Sequence, residues 1–356
     1  MDSGNPVADT AARILADVCD PQTVNKAAGD AWKAPAWAAL EEAGLTLAWV
    51  PEALGGAGAE LADGFAVLRQ AGRFAAPLPL AETLLAGWLL SRAGIAAPKG
   101  AITCGPTRDG DAVTLGKNGA LSGRLRAVPF ARDAKHLALL AEREGGGPVV
   151  ALVDTTALRI TDGTSIAGDT LNAVSLSSVR PVAVAAAPPG TDKQALLLMG
   201  AVVRAMQMAG ALEAILAASV AYANERVAFE RPIAKFQAVQ HNLAKLAGEV
   251  AVAISAAGSA ADAIATTGAG AFDDGVFLEA ASAKIRVGEA AQEGARIAHQ
   301  VLGAIGFTQE HTLHRFTRRL WAWRDDFGNE SYWAVELGRL VAGKGADGLW
   351  PMLAAR

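Results

Sequence analysis

The stretch Glu225-Arg226-Val227-Ala228-Phe229-Glu230-Arg231-Pro232-Ile233-Ala234-Lys235-Phe236-Gln237-Ala238-Val239-Gln240-His241 lies between two long helical patterns, residues 193–226 and 237–266. Two more follow, over 276–303 and 315–341, with Asp273 and Asp274 as plausible N-caps of the first of these. On the 237–266 segment Leu243, Leu246, Val250 and Ile254 share one side, while Lys245 and Glu249 sit four apart on another. The run 195–223 is apolar enough to raise the question of a membrane span. Arg204, Gln207 and Glu213 interrupt it, so it reads as a deeply buried helix. Four long helices with short connections describe an antiparallel bundle.

Upstream of the bundle the character changes. Between about 99 and 190, short apolar runs such as Ala101-Ile102-Thr103-Cys104, His136-Leu137-Ala138-Leu139-Leu140, Val149-Val150-Ala151-Leu152-Val153 and Val174-Ser175-Leu176 are separated by Gly, Asp and Pro clusters. Gly145-Gly146-Gly147 bridges two of them as a hairpin loop would. This is the pattern of a small β domain of sandwich or barrel type. Before it, helices are expected at 34–43, 60–73 and 81–93, with Gly55-Gly56-Ala57-Gly58 as part of a helix connection. The expected organisation is therefore mostly α with a central β domain: helices over 1–98, β structure over 99–190, and a four-helix bundle over 191–356.

Composition narrows the function classes. Of 356 residues, 52% are hydrophobic and 19% charged, which excludes a disordered chain and allows two or three domains. The net charge of −4 leaves no electrostatic footprint for nucleic acid. The one basic-aromatic cluster, Arg318 to Arg324, reads as a buried or interfacial helix edge. Cys19 and Cys104 make neither a disulfide framework nor a zinc pattern, which favours a reducing compartment. Asp2 and Asp9 stand where a secretory signal would be positive, so a cytoplasmic setting is expected. His311 and His314 are three apart, but no further ligand completes a metal set in sequence, and capping or packing is expected of them.

The 225–241 stretch closely resembles the acyl-CoA dehydrogenase segment between the first two bundle helices. His299-Gln300-Val301-Leu302-Gly303-Ala304-Ile305-Gly306-Phe307-Thr308-Gln309-Glu310 resembles that family's loop between the third and fourth, and Pro51-Glu52, Gly55-Gly56, Gly72-Arg73 and Pro77-Leu78-Pro79 match in the first zone. The resemblance implies an FAD lying between subunits, with Arg226, Phe229, Gln237, Gln300 and Gly303 on matching cofactor-binding positions. An arginine offers a forked cationic donor to a diphosphate, and a glycine lets backbone approach it closely. Without the resemblance, Arg226 would read as a surface ion-pair partner and Gly303 as an ordinary helix terminus. It also implies an acyl-CoA substrate, an electron-transfer acceptor, and a homo- or hetero-oligomer.

In the family a carboxylate removes the α-proton of the acyl-CoA while the β-hydrogen leaves as hydride to the flavin. Here the usual Glu position falls on Phe327 and the alternative one, early in the first bundle helix, on Val203, just before Arg204, which is carried over as a substrate-side position. Neither side chain accepts a proton. Asp326 could substitute if the loop shifts by one residue, against the weightier reading of a solvated or Arg324-paired turn acid. Glu330 and Glu213 have less support. Cys104-Gly105-Pro106-Thr107 is only a partial echo of the family's flavin-ring segment. The expected function is FAD-dependent α,β-desaturation of an acyl-CoA, by this chain alone or as one chain of a heteromeric enzyme; the alternative is a silent structural or FAD-completing subunit.

Overall fold

The computed structural model describes residues 4–267 and 272–354. Five helices open the chain: α1 (Pro6–Val18), α2 (Pro21–Lys26), α3 (Lys33–Glu42), α4 (Leu61–Arg73) and α5 (Leu80–Arg92). The first two were not anticipated, although each carries a start signal. The Asn5 side chain accepts from the Val7 and Ala8 amides, Asp20 accepts from Thr23, and a proline follows each cap. The Gly55-Gly56 segment is a helix connection as expected. Gly55 takes a φ of 91°, and a Cβ on Gly56 would lie 2.1 Å from the Val50 carbonyl oxygen.

Eight strands then form one sheet: β1 (Ile102–Gly105), β2 (Ala112–Leu115), β3 (Leu121–Pro129), β4 (His136–Arg143), β5 (Pro148–Asp154), β6 (Arg159–Thr161), β7 (Leu171–Val179) and β8 (Ala183–Ala186). Their order is β6-β7-β3-β2-β4-β5-β8, with β1 parallel to β4. The central hairpin β4–β5 explains its own composition. Leu137, Leu139, Ala141, Val149, Ala151 and Val153 enter a core within the β region, whereas Ala138, Leu140, Val150 and Leu152 enter the core shared with the helices. Both faces are covered, so the strands read as unbroken apolar runs. Strands β2, β3, β6 and β8, whose solvent-facing positions interrupt the apolar run, lacked that signal and were missed.

The bundle comprises α6 (Lys193–Glu225), α7 (Gln237–Thr266), α8 (Asp274–Leu302), α9 (Leu313–Asp325) and α10 (Glu330–Lys344), followed by α11 (Leu349–Ala354); a two-stranded ribbon, β9 (Val227–Ala228) and β10 (Arg231–Pro232), joins α6 to α7. Asp273 caps α8 through the Val276 amide. By length and composition α6 and α7 could each cross a membrane; the apolar window of α6 is wholly buried inside the protein and that of α7 is 28% buried.

Two expectations are corrected. The single helix over 315–341 is two helices, broken at Asp326–Asn329. Phe327 and Gly328 adopt φ values of 53° and 88°, and the Asn329 side chain caps α10 through Tyr332. Gly followed by Asn was the available signal. Lys245 and Glu249 do not pair with each other: Lys245 reaches Glu293 and Glu249 takes Arg286, both on α8. The facing helix offers each a partner at the same depth, and both bonds tie α7 to α8.

Candidate active site

Where α5, α6, α8 and the α9–α10 turn cross, the sequence has placed charge in apolar surroundings. Arg204 on α6 is 3% exposed and points all three guanidinium nitrogens at protein acceptors: Nη2 at Glu82 (2.5 Å), Nη1 at Gln207 (2.6 Å) and Nε at Asp326 (3.1 Å). Arg108, from the β region, also faces Asp326 at 3.6 Å and donates to the Asp325 carbonyl. Burial raises the pKa of Glu82, against the pull of Arg204. Burial opposes the charge on Arg204, but the two carboxylates outweigh it and its pKa is raised.

Beside this cluster stands Lys284 of α8, 1% exposed. Its ammonium donates to the carbonyls of Trp323 (3.1 Å), Arg324 (2.7 Å), Asp326 (2.9 Å) and Gly328 (2.8 Å). Those are the terminal carbonyls of α9 and the turn beyond it, groups a helix end leaves without intrahelical partners. Burial pushes the Lys284 pKa down to about 7. Sequence reasoning missed Lys284, Glu82 and Arg108. Lys284 sits among buried Ala280, Ala281, Ala283 and Val287, and Glu82 in the run Leu80–Leu85. A lone charge in a row that must be buried was the legible sign in both cases.

Phe327, on the family's usual base position, is 2% exposed. Its ring lies so close to Gly200 of α6 that a Cβ there would be 2.2 Å from a ring carbon, and its carbonyl accepts from Trp333 Nε1. Val203 is also buried. Asp326 is paired with Arg204 and Arg108, not with Arg324, which instead takes Glu330. Glu213 is bound in bidentate fashion by Arg69. Asp325 remains exposed at the edge of a cleft of about 530 Å³, which also touches Arg204, Asp326, Phe130, Trp321 and Trp323 and runs between the β region and α8–α9.

The positions matched to cofactor binding lie at the C-terminal end of α6, the start of α7 and the end of α8. Arg226 and Gly303 line one groove of about 530 Å³; Gln300 and Gly303 line a second of about 560 Å³, with Trp321 shared between it and the cleft. Phe229, 88% exposed at the tip of the β9–β10 ribbon, and Gln237, the exposed first residue of α7, line neither groove. Arg226 has no side-chain partner among the described residues, so the ion pair expected of an ordinary surface arginine is not what holds it. Gly303 has a φ of 63° and open space where a Cβ would stand. His299 stacks between Phe307 (4.5 Å) and Trp321 (6.2 Å), forming an aromatic wall beside the second groove. His311 and His314 are engaged locally. Nδ1 of His311 accepts from the Leu313 amide, and Nε2 of His314 lies 3.0 Å from Asn25 Oδ1.

Known proteins share this fold. Residues 4–102 match the acyl-CoA dehydrogenase N-terminal domain and residues 192–324 the acyl-CoA dehydrogenase C-terminal domain, together about two thirds of the chain. Acyl-CoA dehydrogenase IpdE2 of Mycobacterium tuberculosis is 29% identical over 87% of this chain and 88% of its own length. Acyl-CoA dehydrogenase FadE34 of the same organism is 32% identical over 82% of this chain but only 39% of its own length. Among solved structures, the Tcur3481–Tcur3483 steroid acyl-CoA dehydrogenase variant superposes with a TM-score of 0.81 at 25% identity, covering 95% of this chain and 97% of that one. A chain of the ChsE4–ChsE5 complex from M. tuberculosis superposes with a TM-score of 0.82 at 21% identity, covering 97% and 99%. With its helical ends and central sheet in the same order and both terminal domains matched, the chain belongs to the acyl-CoA dehydrogenase family, flavoprotein oxidoreductases acting on the CH–CH bond of acyl-CoA thioesters.

Proposed function

We propose that this chain binds FAD and takes part in the α,β-dehydrogenation of an acyl-CoA thioester as one chain of a heteromeric enzyme, whose unlike partner supplies the acceptor for the α-proton. One observation carries this reading: the base position holds a buried phenylalanine packed on Gly200, and the adjacent carboxylate, Asp326, is held between two arginines. A carboxylate whose two oxygens are each engaged by a guanidinium is held in place and is not free to turn toward a substrate carbon. Asp325 at the cleft edge is exposed, whereas abstraction of a weakly acidic α-proton calls for a base in a dry site.

The residues present fit the cofactor. Gly303 leaves the backbone open to close approach, Arg226 is a cation without an internal partner, and the two grooves meet at Gly303 and Ala304. Arg226 and the 303–304 backbone would hold the diphosphate and Gln300 would flank it, while Phe229 and Gln237 line neither groove of this chain. When bound, FAD supplies the acceptor for the β-hydride. The chain's own contribution is to bind and orient. Arg204 and Lys284 hold the α9–α10 turn that forms one wall of the cleft, and Phe130, Trp321 and Trp323 exclude water from it.

Assembly with another chain is supported by α7, whose long apolar window is only 28% buried within the protein. The similar Tcur3481–Tcur3483 and ChsE4–ChsE5 structures are named as pairs, the former as a steroid acyl-CoA dehydrogenase. By that likeness a bulky, sterol-like acyl group is the substrate class to test first, with an electron-transferring flavoprotein, the subject of another similar structure, as the class of acceptor. The test is spectroscopic. The chain purified alone and loaded with FAD is mixed anaerobically with acyl-CoAs. The proposal expects a flavin band that persists until the partner chain is added and then bleaches. Bleaching by the chain alone would assign the base to Asp325 or Asp326 instead, and failure to take up FAD would leave a structural subunit.

A further inference from the structure

Arg315, Arg318 and Arg319 lie on the first two turns of α9, on the side away from the Gly303 grooves, and no role described so far uses them. With His314, Lys33 and Trp32 they line a second polar cavity of about 280 Å³, closed by the 27–33 segment on one side and by the Gly168–Asp169 loop of the β region on another. Two carboxylates also line it, and both are taken. Asp169 is paired with Arg319 at 2.6 Å and Asp30 with Lys33 at 2.9 Å. Arg318 donates Nε to the Ile166 carbonyl, a neutral acceptor, at 2.6 Å. Arg315 makes no side-chain hydrogen bond or ion pair among the described residues. Its Nε, like that of the 4%-exposed Arg319, is buried without an acceptor. Cys19 lies close enough to act electrostatically on Arg315, but burial holds its thiol up at about 12, so it stays neutral and supplies no counter-charge.

We propose that this cavity is an oxyanion site for a phosphate-class group, with Arg315 and Arg318 as its charged donors. Lys33, Arg315, Arg318 and Arg319 face only Asp30 and Asp169 there, an excess of two positive charges, and the terminal nitrogens of Arg315 have no hydrogen-bond acceptor among the described residues. A tetrahedral dianion satisfies both conditions, since each guanidinium can offer it a forked pair of donors. Burial and the neighbouring Arg319 push the Arg315 pKa down to about 10, a like-charge strain that an anion would relieve. Asp169 lines both this cavity and the large cleft, so an anion here would brace the loop that forms the cleft wall. The cavity is larger than a free phosphate needs, which leaves room for the same group carried at the end of a nucleotide.

Inorganic phosphate titrated calorimetrically into the FAD-saturated full chain, with the flavin filling the groove at Arg226, at ionic strength held constant with potassium chloride, tests the site. One saturable site is expected, weakened about tenfold or more in Arg315→Gln, the loss of one charge-assisted contact, and unchanged in Lys117→Met, an exposed cation outside the cavity. Absence of saturable binding, binding unaltered in Arg315→Gln, or binding lost in Lys117→Met instead would each overturn the proposal. Comparison with 3′-phosphoadenosine distinguishes the sources: tighter binding than phosphate assigns a nucleotide-borne group, equal or weaker binding a free anion. Thermal midpoints guard against a folding defect. Phosphate should raise the midpoint of the unaltered chain relative to chloride and leave that of Arg315→Gln where it was, and equal shifts in both would count against the site.

Discussion

At the crossing of α5, α6, α8 and the α9–α10 turn, Arg204, Glu82, Asp326 and Lys284 are buried and every charge is met by a protein partner. At the C-terminal ends of α6 and α8, Arg226 and Gln300 stand exposed beside open grooves, with no side-chain partner among the described residues. Both regions hold polar groups on the same helices, yet only one is closed upon itself. Polar groups that satisfy one another hold the architecture, and polar groups left open are available to a ligand. The same comparison explains why a family catalytic position can be lost without disordering its loop. The turn that ordinarily presents a base is here held by Lys284 from below and by Phe327 seated on Gly200.

The comparison can be broken most severely at Arg204. Arg204→Ala leaves Glu82 and Asp326 buried without their cation and should cost ~3–5 kcal/mol of stability, read from urea unfolding midpoints. A change within experimental error would mean that the cluster is already hydrated and open. Lys284→Met keeps the volume but strands the carbonyls of Arg324, Asp326 and Gly328, while that of Trp323 keeps the Asp326 amide. A loss of about 2–3 kcal/mol is expected, together with faster hydrogen exchange confined to the end of α9 and the 326–329 turn. Uniformly faster exchange would deny Lys284 a local role.

The open region should respond in the opposite sense. Arg226→Ala is expected to leave stability within about 0.5 kcal/mol while weakening flavin retention at least about tenfold, measured by dialysis and flavin absorbance. Undiminished flavin occupancy would remove Arg226 from the cofactor site. The smallest effect is at Glu293, whose pKa Arg296 and Lys245 hold down at about 2. A depressed carboxylate stabilises the folded state above its ordinary pKa near 4.5 and loses that contribution as pH falls toward 2. Glu293→Gln should therefore flatten the acid limb of the stability profile between those values. The effect should be slight and weaken further in salt, since the pair is exposed.

Much of the fold was legible because its signals are local. The ends of α4, α5, α6, α7 and α8 fall within two residues of the expected spans, since long apolar periodicity and caps such as Asp273 are properties of neighbouring residues. Among the candidate residues, Arg226, Gln300 and Gly303 were numbered from the motif; Arg226 lines one groove and Gln300 another, and Gly303 lines both. Phe229 and Gln237 carry the same motif but line neither groove. Lys284 and Glu82 went unread because an isolated charge in an apolar row acquires meaning only from what it meets across the core.

By itself, then, the sequence determined the order of helices, sheet and bundle, the family, and the presence of Phe327 at the position where the resemblance expects the base, since periodicity and motif spacing are written along one dimension. Only the tertiary structure decided that Asp326 is clamped by Arg204 and Arg108, that Lys284 closes the end of α9, and that Arg315 faces a cavity without a counter-ion. Each of those outcomes joins residues 30 or more positions apart, where the cost of burying charge is settled by three-dimensional partners rather than by neighbours in the chain.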